Sequence, residues 1–259
     1  MSHPISAIIA GATGLVGNEL LHLLLGSETI GNVYALSRSA LPYRSKHLVQ
    51  LVHPELRITE WDEQDPVPQL GLICLGTTLK SAGSKDGLRA VDVELVKSVA
   101  RNMRQLGVET LVVISSLGAS RYSPSFYLRC KAEMEQAVAA LEFSHCIIVR
   151  PGPLSGERTP PRPGEEMSLK ILDTLSPLLI GPLSSLTPIA AEDVAAAMLQ
   201  LGIESLNTAL RRPGLFAAMH SDARPLAAHN TNPDLRLEAG FAHRVTIVPF
   251  HITIHASLK

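Results

Sequence analysis

The sequence predicts a doubly wound parallel α/β sheet with a small helical or irregular substrate region towards its C-terminal part. Three observations carry this: short apolar runs that close on glycine or serine, amphipathic helical stretches between them, and a glycine triplet directly after the first run. Strand and helix alternating at this spacing build a parallel sheet covered on both faces. At 259 residues and 46% hydrophobic, the chain suits one large domain with a buried core.

Taken in order, ISAIIAG (5–11) is a mostly apolar run ending in glycine, as a buried parallel strand should be. Residues 15–25 carry a broad apolar face of Leu15, Val16, Leu20, Leu21, Leu23, Leu24 and Leu25, a helix. NVYALS (32–37) and HLVQLV (47–52) read as strands two and three, followed by an irregular stretch, HPELRITEWDEQDPVP. LGLICLG (70–76) is strand four. A helix over 87–106 follows, with Leu88, Val91, Leu95, Val96, Val99, Met103 and Leu106 on one face and Gly107 as its stop. TLVVIS (110–115) is strand five, 124–141 a helix and HCIIVR (145–150) strand six.

The proline-rich stretch RPGPLSGERTPPRPGEE (150–166) interrupts this rhythm, and a loop of that length in a compact domain is usually functional or mobile. Helices are expected at 165–178 and 191–202. The boundaries read as a nucleotide-binding unit over 1–212, which includes a substrate-side region at 151–190, and an extension over 213–259 of undetermined structure. Within that extension RVTIVPFHITIH alternates like a strand, without a predicted place in the sheet. His251 and His255 share one side of it, but two histidines without a third ligand do not make a metal site, and no metal is expected.

A net charge of −1 and scattered charged residues give no basic footprint for nucleic acid. Cys74, Cys130 and Cys146 form no CxxC pair, and Cys74 and Cys146, inside apolar runs, read as buried structural thiols. The start, MSHPISAIIAGATG, has no basic n-region, and no apolar stretch reaches membrane-span length. The expectation is a cytoplasmic protein with a small-molecule substrate, no nucleic-acid or membrane partner, and a protein partner or homodimer left open.

GATGLVG places Gly11, Gly14 and Gly17 between strand one and helix one. Glycines there permit a tight turn, close approach to a pyrophosphate and close helix–strand packing, the Rossmann-type dinucleotide arrangement. The helix N-terminus adds about half a positive charge and free N–H groups. An NAD-preferring site has Asp or Glu at the end of strand two, whereas this chain reads Leu36-Ser37-Arg38-Ser39. A guanidinium there pairs a 2′-phosphate, so NADP(H) is expected over NAD.

In SPSFYLRCKAEMEQ, Ser123 is the expected helix cap and Pro124 suits the first turn. Tyr127 and Lys131 then stand one turn apart on one face. Free tyrosine has a pKa of about 10, and bringing it near neutrality takes roughly 4 kcal/mol in favour of the phenolate. A neighbouring ammonium and an oxidised nicotinamide both supply part of that. Tyr127 is the candidate proton donor or acceptor, and Lys131 its partner and a holder of the nicotinamide ribose. Ser115 and Ser116, at the end of strand five, are candidates for polarising a substrate carbonyl.

With GATGLVG, Arg38, CLGTT, ISSLGAS, YLRCK and RPGPL in this order, the chain resembles the short-chain dehydrogenase/reductase superfamily. The likeness is nearest to its small atypical members, the Tat-interacting-protein type of NADPH-binding oxidoreductase-like proteins, and spans about residues 5 to 205. It implies that Thr13, Gly14, Leu15 and Val16 line the pyrophosphate loop, and that Arg38 and Ser39 meet the adenosine phosphate. It further implies that Leu75, Gly76 and Thr77 pass beside the cofactor, Leu154 lies against the nicotinamide end, and Arg162 reaches a cofactor phosphate. Tyr127 and Lys131 match the active pair.

Ser115 and Ser116 lie only twelve and eleven residues before Tyr127, and the region after Arg150 is short. Both features count against nucleotide-sugar epimerase activity. The expected function is NADP(H)-dependent reduction of a small carbonyl or oxidation of an alcohol. A non-catalytic NADPH-binding regulator working through protein partners is the alternative, and an epimerase the next.

Overall fold

The computed structural model of the protein describes residues 4–155, 188–211 and 244–250. Its strands are β1 Ile5–Ala10, β2 Ile30–Ser37, β3 Leu48–Val52, β4 Leu70–Ile73, β5 Thr110–Ile114, β6 His145–Pro151, the short β7 Leu154–Ser155 and β8 Ile189–Ala190, and β9 Arg244–Phe250. The helices are α1 Leu15–Gly26, α2 Leu79–Ala82, α3 Lys85–Arg89, α4 Val96–Leu106, α5 Phe126–Ala139 and α6 Ala191–Arg211. A π-helical turn, Ala90–Leu95, joins α3 to α4 without a break.

The main sheet has seven strands in the order β3-β2-β1-β4-β5-β6-β9, every neighbouring pair parallel. The expected doubly wound α/β sheet is therefore present. A parallel strand covered on both faces needs apolar residues at successive positions, and their alternation sorts them between two cores. Ala7 and Ile9 of β1, Leu72 of β4 and Val112 of β5 face α1 and α6, against Leu20, Leu21, Leu24, Val194 and Met198. Ile8 and Ala10, with Ile73 and Val113, face the other way onto Val96, Val99 and Met103 of α4 and Met134 and Val138 of α5.

Within 53–69, which the sequence left irregular, Leu56 is buried and the Trp61 ring lies 4.6 Å from that of Tyr34. That closes the end of the α4/α5-side core near β2. The helix predicted at 191–202 extends to Arg211, and the one predicted at 165–178 falls outside the described residues. Strand β9 comes from the alternating run that had no predicted place. It pairs with β6 in unbroken register from His145↔Arg244 to Pro151↔Phe250. Pro249 is compatible with this position because an edge strand tolerates a missing N–H. His251 and His255 lie outside the described residues.

Cys130 and Cys146 are buried as free thiols, but Cys74 is only half-buried because it stands past the end of β4. Among the described residues no helix is long and apolar enough to cross a membrane.

Leu20 is fully buried between α1 and the sheet. Leu20→Ala is expected to lower unfolding stability by about 2–5 kcal/mol, the usual range for a buried leucine. Urea denaturation checks it, and a loss below about 0.5 kcal/mol would contradict this packing.

Candidate functional site

The order of strands reverses at β1, which is flanked by β2 and β4, and the crevice at the carboxyl ends of such strands is where nucleotides sit in open α/β sheets. Gly11 leaves β1 with φ +93°, and a Cβ there would stand 2.7 Å from the Cys74 carbonyl carbon and oxygen. Gly17 is equally constrained, since its Cβ would lie 2.1 Å from the Gly11 oxygen. Between them the Gly14 N–H donates to the Gly11 carbonyl at 3.0 Å, and Gly14 caps α1 without a side-chain hydrogen bond. No acidic residue occupies the first turn of α1. Thr13 is exposed, Leu15 half-buried and Val16 buried. The result is a helix start with positive potential, open N–H groups and no carboxylate to repel an anion. A dinucleotide pyrophosphate fits that cradle.

At the end of β2, Arg38 and Ser39 are exposed, and the Ser37 hydroxyl donates to the Ser39 carbonyl at 2.8 Å. Beyond β4, the Cys74 N–H donates to Ala10 at 2.8 Å, followed by half-buried Leu75, exposed Gly76 and half-buried Thr77. Burial pushes the Cys74 thiol up to about 12, against an opposing pull from Lys131. Leu154, in the β7–β8 pair just past β6, is half-buried against the α1/α6-side core. Arg162 lies outside the described residues.

Helix α5 begins two residues later than expected. Its cap is Ser125, whose hydroxyl accepts from the Leu128 N–H, not Ser123. Ser123 instead accepts from the Ser125 N–H at 3.2 Å, and its carbonyl accepts from the Arg129 guanidinium at 2.7 Å. Pro124 excludes its predecessor from helical geometry, so the chain turns before the helix starts.

From that start, Tyr127, Lys131 and Glu135 fall on one stripe. Tyr127 is half-buried beside Phe126, Leu88, Val93 and Cys130. The Lys131 side chain is 3% exposed, and its ammonium lies 5.7 Å from the Tyr127 ring centre. It pairs at 2.7 Å with Asp92, which has no exposure at all. Burial pulls the Lys131 pKa down, but the Tyr127 phenolate, Asp92 and Glu135 more than offset this, leaving it raised. The 2.7 Å pairing with Asp92 favours the ammonium form of Lys131.

Glu135, in turn, accepts from the Ser115 hydroxyl at 2.5 Å and from Arg150 through two N–H groups, the Nε bond at 2.8 Å. Ser115 thus faces inward, while Ser116 stands half-buried at the strand end with its hydroxyl 3.4 Å from the Leu117 carbonyl. Asp92, Glu135 and Arg150 were not among the sequence candidates. Their signal is a charge at an inner position: Asp92 stands four residues after Leu88 and four before Val96, and Glu135 one turn after Lys131.

The NAD(P)H-binding family profile matches residues 11–202. The chain belongs to that family. Its curated relatives include the mitochondrial FMP52 proteins of Debaryomyces hansenii and Saccharomyces cerevisiae. The first is 33% identical over 207 residues, covering 78% of this chain and 89% of that protein. The second is 36% identical over 157 residues, covering 60% and 68%. Together these place the chain among NAD(P)H-binding proteins similar to the FMP52 relatives, in keeping with the nucleotide-binding family that the resemblance implied.

Among solved structures, MoeE5 bound to UDP-glucose and NAD superposes with a TM-score of 0.53 at 18% identity, over 76% of this chain and 71% of that one. The PhqB reductase domain of Penicillium fellutanum gives 0.54 at 20% identity, over 78% and 65%. At such identities the likeness is one of fold. The relatives' mitochondrial names overturn the cytoplasmic expectation. The missing basic n-region speaks to secretory export alone, whereas mitochondrial leaders are recognised by a different, amphipathic pattern.

Gly17→Ala is expected to weaken NADPH and NADH binding at least about tenfold, roughly 1.4 kcal/mol, because its Cβ cannot fit against Gly11. Titration of cofactor fluorescence checks this, and unchanged affinity in a folded variant would refute the cradle.

Proposed function

We propose that this chain is an NADP(H)-dependent oxidoreductase that reduces a small carbonyl, or oxidises the corresponding alcohol, with Tyr127 as general acid and base. The observation that carries the reading is the half-buried Tyr127 phenol beside a buried ammonium, on the helix that follows β5. When bound, the nicotinamide supplies or accepts the hydride.

The chain's residues would do the rest. The N–H groups at the start of α1 would hold the pyrophosphate, with Thr13, Gly14, Leu15 and Val16 around it. Arg38 and Ser39 would meet a 2′-phosphate, and the absence of any acid from 37–45 supports NADP(H) over NAD. Leu75, Gly76 and Thr77 would run beside the cofactor, with Leu154 at its nicotinamide end. Tyr127 Oη would give its proton to the carbonyl oxygen during reduction and take one during oxidation, the Lys131 charge favouring the phenolate.

Of the two serines, half-buried Ser116 is the better placed to polarise the substrate. The Ser115 hydroxyl, donating to Glu135, would hold the scaffold beneath it. The relatives' names support a mitochondrial place of action.

A panel of small aldehydes and ketones with NADPH tests the chemistry. Tyr127→Phe should lower kcat at least about 100-fold, as for a lost general acid, with NADPH affinity little changed. Turnover indifferent to that substitution would sink the assignment, and NADPH binding with no turnover on any carbonyl would favour a regulator.

Arg38→Ala should weaken NADPH at least about tenfold more than NADH, the loss of one charge-assisted contact. Equal losses for the two cofactors, measured by calorimetry, would refute the selectivity assigned to Arg38.

A further inference from the structure

The loop joining β2 to β3 carries Arg38, Arg44 and Lys46 over residues 38–47 and no carboxylate. Arg44 and Lys46 are exposed, and among the described residues neither has an ion-pair partner. Together with Tyr43, Ser45, Leu48 and Gln50 they line a cavity of about 420 Å³ that opens to solvent. That volume is in the range of small-molecule sites. The lining offers two cations and two hydroxyls, and it holds no acid to repel an anion.

The walls of this cavity are tied in place. Gln50 of β3 accepts from the Leu41 N–H at 2.7 Å and donates to the Leu41 and Tyr43 carbonyls at 3.3 and 3.0 Å. The Tyr43 hydroxyl donates to Asn18 Oδ1 of α1 at 2.5 Å, and its ring meets that of His22 edge-on at 5.1 Å. The Ser45 hydroxyl accepts from the His47 N–H at 3.2 Å, which leaves its own O–H to donate. The Ser45 carbonyl accepts from the Leu48 N–H at 3.2 Å. Arg44 and Lys46 therefore stand on a backbone already ordered, and little of that cost is left to oppose a ligand.

The cavity is separate from the cofactor crevice. Leu48 pairs with Val33 and Gln50 with Ala35, four and two residues before Ser37. Its strand-side wall thus runs about 7 to 13 Å below the carboxyl end of β2. No residue assigned to the cofactor lines it.

We propose that this cavity binds the phosphate group of a small anionic ligand, held by the Arg44 guanidinium, the Lys46 ammonium and the Ser45 hydroxyl. A phosphate monoester carries close to two negative charges at neutral pH and presents three acceptor oxygens. It matches two cations in charge and three donor groups in number. A carboxylate, with one charge and two oxygens, matches neither. Two charge-assisted contacts of ordinary strength correspond to a Kd near about 1 mM.

The test is NMR of the 15N-labelled full chain with NADPH present to occupy the glycine-loop cradle. Inorganic phosphate is titrated against acetate at equal ionic strength. Amides of residues 43–50 should shift saturably with phosphate and not with acetate. Arg44→Ala and Lys46→Ala should each weaken phosphate at least about tenfold, the loss of one charge-assisted contact, and leave NADPH affinity unchanged. Glycerol 3-phosphate and vesicles containing phosphatidic acid then separate the sources. Shifts with the soluble ester but no vesicle co-sedimentation would uphold the site for a soluble phosphate. Co-sedimentation lost in Arg44→Ala and Lys46→Ala would uphold it for a lipid headgroup. No saturable shift at 43–50 up to about 20 mM phosphate, more than ten times that Kd, would overturn the proposal. An equal response to acetate, or one that survives both substitutions, would overturn it as well.

Discussion

The site is organised around a buried arrangement of four charges on and beside α5. Lys131 pairs with Asp92, and Arg150 with Glu135, whose second role is to accept from Ser115. Each pair joins α5 to a different element: the π-helical turn before α4 in one case, β6 in the other. Isolated, any one of these ions would be costly at this depth, so the helix has a favourable seat only where both partners meet it. Rotation of α5 by one residue would carry Lys131 and Glu135 away from Asp92 and Arg150 and leave those charges without their partners. The ion pairs therefore fix not merely that α5 packs on the sheet, but which stripe of it faces the crevice.

That constraint links the helix to the carboxyl edge of the sheet. β1 and β4 end side by side because they are hydrogen-bonded neighbours, and Gly11 and Cys74 meet just past those ends. Two and three residues beyond Cys74, Gly76 covers the Lys131–Asp92 pair and Thr77 donates to it. The glycine loop and the Tyr127 helix are thus connected through a single stretch of backbone, although they are separated by more than a hundred residues of chain. The loop reads as a fit for pyrophosphate, and the same stretch carries the cradle at one end and the ammonium at the other.

Most of the fold was legible because parallel strands buried on both faces leave continuous apolar runs, and glycine marks where several of them end. β9 was not placed, since an alternating run shows a strand without naming its neighbour. The α5 cap was misread by two residues because Ser123, Pro124 and Ser125 all carry start signals, and only the path of the chain selects between two serines. In the site, Tyr127 and Lys131 were legible from their one-turn spacing, and the glycine loop from its place after β1. Asp92, Glu135 and Arg150 were passed over because each is an ordinary charged residue until burial is known. A carboxylate within the Leu88–Val96 stripe was the available clue.

The placement of Tyr127 bears on the choice between hydride transfer and cofactor sensing. A dinucleotide sensor would need the cradle at the start of α1 and a group such as Arg38 to choose between phosphorylated and unphosphorylated ribose. Neither requires a phenol beside a buried ammonium. In this chain the ammonium is kept charged against desolvation by a carboxylate with no solvent exposure, and that carboxylate sits in a widened helical turn. Simple structural burial would be served as well or better by apolar side chains of similar volume. Retaining two ion pairs under one half-buried tyrosine is intelligible if the positive charge is wanted at that place, and a proton-transfer role for Tyr127 is what would use it.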